Sequence, residues 1–97
     1  MKYIVQVEIG PDNNVEQEAG GGEKIQQWIG KWMALNPIGF YFSLTRRSAT
    51  IIVDVPDEDS MFEALYETWN LAKSYPKVTP VLTVDEFPQM MQRLGLA

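Results

Sequence analysis

The hydrophobic period of this chain changes along its length, and the order of those changes limits the fold more than composition does. Residues 2–9, KYIVQVEI, alternate: Tyr3, Val5, Val7 and Ile9 fall on one side, Lys2, Ile4, Gln6 and Glu8 on the other. That is a strand with one firmly apolar face. Gly10-Pro11-Asp12-Asn13-Asn14 is turn chemistry, and the polar, glycine-rich residues 15–22 read as a loop. From Glu23 the period lengthens. Ile25, Trp28, Ile29, Trp32 and Leu35 recur at helical spacing, with Lys24, Gln27 and Lys31 opposite, which predicts a helix over about 23–35 that Asn36-Pro37 stops. Alternation returns in GFYFSLT (39–45) and TIIVDV (50–55), and the short Arg46–Ala49 link predicts a β-hairpin. A second helix is expected over 60–74. Ser60 and Glu63 have capping-box spacing, the acidic Asp57-Glu58-Asp59 suits a helix start, and Phe62, Leu65, Tyr66 and Trp69 make the apolar stripe. KVTPVLTV (77–84) is the last strand, confined by Pro80 to an edge or a bulge. A short helix over about 86–94 carries Met90, Met91 and Leu94.

The order β-α-β-β-α-β plus a tail helix predicts an α+β, ferredoxin-like sandwich, with residues 1–97 as one domain. The expected strand order is 4-1-3-2, with strands one and three central and parallel and both helices on one face. Phe40, Phe42 and Leu44 join Ile51, Val53 and Val55 on the helix side. Ile4, Gln6, Glu8, Tyr41, Ser43, Ile52, Asp54 and Val81 then lie on the other face, which is too apolar for bare surface and too polar for a dry core. Large half-apolar patches on small proteins often mark interfaces.

Composition narrows the chemistry. The net charge of -5 repels phosphate backbones, so no nucleic-acid partner is expected. Cysteine and histidine are both absent. That removes Cys/His zinc sites, thiolate nucleophiles, histidine-ligated haem and Ser-His-Asp triads, so neither a metal nor a cofactor is expected. No apolar run approaches the ~18 residues of a membrane span, and the alternating N-terminus is too short for a signal peptide. A cytoplasmic location is the expectation, without a membrane partner.

At this point the chain resembles the dimeric α+β-barrel superfamily, and within it the muconolactone isomerase family. The resembling parts are the first alternating strand, EKIQQWIGKW, RRSATIIVDVPDEDSMFEAL and YPKVTPVLTV. The resemblance implies a homodimer, two sheets packed face to face with a pocket in each subunit, and a small organic ligand. If catalysis occurs, it implies cofactor-free isomerase or monooxygenase-like chemistry. The alternative is a non-catalytic dimerisation or ligand-sensing module.

Candidate residues follow from the open face. With strands one and three parallel, Glu8 and Asp54 would share one end of the sheet with Tyr41. Two carboxylates under a dimer cover can have their pKa values pushed apart into an acid and a base, with the tyrosine orienting an enol or carboxylate. The plainer reading is solvated acids at strand ends. Ile4, Gln6, Ser43 and Ile52 would line the substrate pocket. Arg46 and Arg47 in the hairpin turn can receive a substrate carboxylate or simply solubilise an edge. Trp28, Trp32 and Trp69 read as core packing, with stacking on a planar ligand or flavin as the alternative. Gly20-Gly21-Gly22 satisfies neither the Walker pattern nor the dinucleotide fingerprint, and Glu16, Glu18 and Glu23 would repel an anion. Those glycines are expected either to form a mobile flap at the pocket mouth or to be merely disordered.

Overall fold

The computed structural model describes residues 1–96; Ala97, the last residue of the expected domain, lies outside them. The strands are β1 (Lys2–Glu8), β2 (Gly39–Phe42), β3 (Ser48–Asp54) and β4 (Lys77–Val81). The helices are α1 (Gly21–Met33), α2 (Phe62–Ala72) and α3 (Phe87–Arg93), with 3₁₀ turns at Val15–Gln17 and Glu58–Met61. The strands form one antiparallel sheet in the order β2-β3-β1-β4. Its connectivity is consistent with the ferredoxin-like class, and Pro80 sits on edge strand β4 as its missing N–H requires.

The expected order is found, but the expected direction is not. β1 and β3 run antiparallel, with Lys2 opposite Asp54, Ile4 opposite Ile52 and Glu8 opposite Ser48. The cause is topological. The α1 crossover returns the chain so that β2 runs with β1, and the tight hairpin then reverses it, so β3 must oppose both.

One face of the sheet makes the core. Tyr3, Val5 and Val7 of β1 and Ile51 and Val53 of β3 are buried beneath Trp28 and Trp32 of α1. The hairpin departs from expectation at its tip. β2 ends at Phe42, and the Ser43 hydroxyl accepts from the amides of Thr45 (3.2 Å) and Arg46 (3.1 Å), bending the chain before Leu44 can reach the helix side. Leu44 is fully exposed and Phe42 half so.

The glycine run is not a flap. Gly20, with φ of 75°, is the left-handed residue ahead of α1, and Gly21 and Gly22 are its first turn. Gly21 is buried, and a Cβ there would overlap the carbonyl oxygen of Val15. The absent side chain lets the 3₁₀ turn lie directly against the helix start.

α2 also differs from the period reading. Its buried residues are Ala64, Thr68, Leu71 and Ala72, continuing from Met61, while Phe62, Tyr66 and Trp69 face outward. It begins two residues later than expected, behind a 3₁₀ turn capped by Asp57, which accepts from the Ser60 amide at 3.1 Å. The reciprocal capping pair lies instead before α3. Thr83 and Glu86 exchange backbone-to-side-chain bonds at 3.0 and 3.2 Å, which turns the chain and ends β4 at Val81. Lys2 holds Glu86 at 3.1 Å, and the Thr83 contacts with this ion pair lower the Glu86 carboxyl to about 2. Among the described residues α3 is only sparsely packed against the rest of the chain, tied at its start by the Lys2–Glu86 pair. The radius of gyration is accordingly 15.7 Å, against about 12–13 Å for a compact chain of this length.

Candidate functional site

The antiparallel register takes the two-carboxylate constellation apart. Glu8 and Asp54 lie at opposite ends of the β1–β3 pair, six residues of strand apart, or roughly 20 Å at ~3.3 Å per residue. Asp54 is held at 3.1 Å by the Met1 amine and at 3.5 Å by Lys2. The hydrogen bond from that amine is the main cause of its lowered pKa. Glu8 instead meets Arg46 at 2.9 Å, with both side chains solvated. Tyr41 pairs with Thr50, which in turn faces Gln6, so the ring stands in mid-sheet and is 62% exposed. No shared small substrate reaches all three groups.

The remaining expected residues divide between the two faces. Ile4 and Ile52 are directly opposed on the open face, both half-buried, with Thr79 on the far side of Ile4. Ser43, Arg46 and Arg47 lie at the hairpin tip and edge a cavity on the helix side of the sheet. That cavity has a volume of about 230 Å³ and an apolar floor of Val7, Ile25, Trp28, Phe42, Ala49 and Leu71. Glu16 and Ser48 complete its polar edge. A more polar hollow of about 470 Å³ lies on the open-face side of Arg46, lined by Gln6, Glu8, Thr50, Tyr75 and Lys77.

The slot exists because neighbouring elements stop short of one another. Trp28 projects from α1 toward the hairpin and meets Phe40 and Phe42 edge-on, at centroid distances of 5.5 and 6.0 Å. Its indole N–H points the other way, donating to Thr68 Oγ1 at 2.8 Å, and Trp32 donates to the same oxygen at 2.9 Å. Thr68 then donates to the Ala64 carbonyl at 2.7 Å. One hydroxyl thus uses both acceptor positions and its single donor, and Trp28 is fixed as a rigid wall of the slot.

The two arginines have different duties. Arg47 is bound by the Glu16 carboxylate and by the carbonyl oxygens of Gly10 and Asn13. It ties the β1–α1 connection to the hairpin, and its hydrogen bond to Glu16 is the largest cause holding that carboxyl below the usual range. Arg46 has one side-chain partner, the exposed Glu8, and that pair exchanges readily with solvent or another anion. Of the two arginines, Arg46 is the less firmly held.

Sequence reading singled out Arg46, Arg47 and Ser43, and Trp28 as a ligand-stacking alternative to core packing, but missed Phe42 and Thr68 as parts of one site. The signal for the last was present: Trp28 and Trp32, a turn apart, both need acceptors when buried. Among the described residues there is no group of three carboxylates positioned to hold a metal ion, and no helix is long and apolar enough to cross a membrane. A sequence model described as a domain of unknown function, DUF3303, matches residues 1–95. No curated protein matches the chain.

Proposed function

The chain belongs to the DUF3303 family, and from that premise we propose that it is a homodimeric small-molecule-binding protein whose ligand is a small organic acid. The carrying observation is the apolar slot edged by Arg46. A cavity of about 150 Å³ accommodates benzene, so 230 Å³ takes one ring with a small head group. The ring lies on the apolar floor against the Trp28 and Phe42 side chains, and the carboxylate displaces Glu8 from Arg46 while Arg47 keeps the loop in place.

The slot lies on the helix side, not on the open face where the resemblance put a pocket. Binding without catalysis is favoured over isomerase or monooxygenase-like chemistry, because the acid–base pair on which that chemistry would rest is not assembled. The open face keeps its role in assembly. Ile4, Ile52, Tyr41 and Val81 are covered by the same face of a second copy, and the sparsely packed α3 sets Met90 and Met91 against that copy.

Thermal melts with benzoate and benzamide test the ligand. Benzoate at millimolar concentration is expected to raise Tm by a few degrees, benzamide less, and Arg46→Gln to remove the difference. Equal shifts for both compounds, or no shift with benzoate, overturn the reading. Sedimentation of Ile52→Glu tests the assembly: a two-chain mass is expected for the parent and a lower one for the variant.

A further inference from the structure

α2 leaves its largest side chains outside. Phe62, Tyr66, Trp69 and Lys73 follow at i, i+4, i+7 and i+11, one face of a helix. Phe62 and Tyr66 are 67% and 56% exposed and stack at 6.3 Å. Trp69 is 40% exposed, with Tyr75 at 6.3 Å and the Lys73 ammonium 5.9 Å from its ring centre. This row points away from the slot and uses none of the open-face residues.

We infer that the aromatic face of α2 is a second interface between copies of this chain, in which two α2 helices pack antiparallel across a two-fold axis. Three features select another copy as the occupant. The row is self-complementary: a two-fold axis between Tyr66 and Trp69 lays each on the other's counterpart and sets Phe62 against Lys73. Its ends have opposite charge. Exposed Asp57, Glu58 and Asp59 precede the row, while Lys73 at its end has no salt-bridge partner among the described residues. Antiparallel pairing therefore puts each lysine beside the other copy's acidic start, and it also opposes the helix dipoles. The area is graded: the three part-exposed rings of the row offer on the order of 350 Å² per copy, less than the ~800 Å² per partner of a stable interface. Such contact forms at high concentration and reverses on dilution.

Sedimentation velocity over a concentration series tests this, comparing the parent with the double variant Phe62→Ser/Tyr66→Ser and with Lys73→Glu. The expected result is a concentration-dependent parent species with twice the chains of the double variant: four against two where the sheet dimer stands, two against one where it does not. The factor of two is read in either case, so this interface and the sheet interface fail separately. Lys73→Glu keeps every aromatic ring and is expected to shift the association midpoint to several-fold higher concentration. Circular dichroism confirms that both variants are folded. A folded double variant that keeps the parent's mass at every concentration overturns the inference, as does a parent that stays single throughout.

Discussion

α1 and α2 lie side by side over one sheet, yet they treat their aromatic residues in opposite ways. α1 buries Trp28 and Trp32 completely, and α2 turns Phe62, Tyr66 and Trp69 to solvent while burying Ala64, Thr68 and Ala72. The difference is a division of volume. Two indoles fill the space between the helices, so the partner helix can offer only small side chains there. One of those, Thr68, has the right polarity to satisfy both indole N–H groups. Of the larger residues of α2, Leu71 and half-buried Leu65 stay on the core side, while the aromatic Phe62, Tyr66 and Trp69 are displaced to the outer side.

The contrast makes graded predictions. Trp32→Ala empties the fully buried end of α1 and is expected to lower unfolding free energy by about 3–5 kcal/mol in denaturant titration. A loss below 1 kcal/mol would mean that α1 is not the packed partner. Thr68→Val keeps the volume but strands two buried donors, each costing about 1–3 kcal/mol; a chemical melt should show a loss of at least ~2 kcal/mol. Gly21→Ala must push the helix start off the Val15 carbonyl and is expected to cost about 1–3 kcal/mol. Gly22→Ala, with open space at its Cβ, should instead stabilise by up to ~1 kcal/mol. Equal effects at the two glycines would remove the close approach as the reason for the first.

A pH series supplies a comparison that aromatic packing cannot affect. Glu86 has its pKa lowered from 4.5 to about 2 in the folded chain. Its contribution is present above the unfolded value and fades as pH falls from about 4.5 toward 2. Tm of the parent should drop across that window, and Glu86→Gln should flatten part of the drop. The smallest effect belongs to the outer row. Phe62→Ser with Tyr66→Ser should change the stability of the dilute, single chain by no more than ~0.5 kcal/mol per site, in contrast to Trp32→Ala.

Element order was legible because alternation and helical spacing are local. Ile25 to Leu35 declared α1, and Pro80 declared an edge. Strand direction was also available by reasoning, since a crossover followed by a hairpin forces β3 against β1, but face patterns alone carry no direction. That one step decided whether Glu8 and Asp54 could meet. The α2 stripe was misread because periodicity favours the bulkiest apolar set, and α2 has two such faces. Which one is buried depends on the tryptophans of another helix. Arg46 and Arg47 were legible as a cationic turn. Their separate duties were not, because Arg47's partners, Gly10, Asn13 and Glu16, come from a connection distant in sequence.

The Thr68 hydroxyl also divides the protein's fluorescence. Trp32, tied to it and with no exposed surface, emits from a setting that dissolved quenchers do not reach, and Trp28, 3% exposed, meets them only through the slot. Trp69 emits from the outer face of α2 and takes nearly all of the collisional quenching. A single unlabelled sample therefore carries two optical reporters: one follows unfolding of the interior, and the other follows events at the outer helix surface while the interior stays intact.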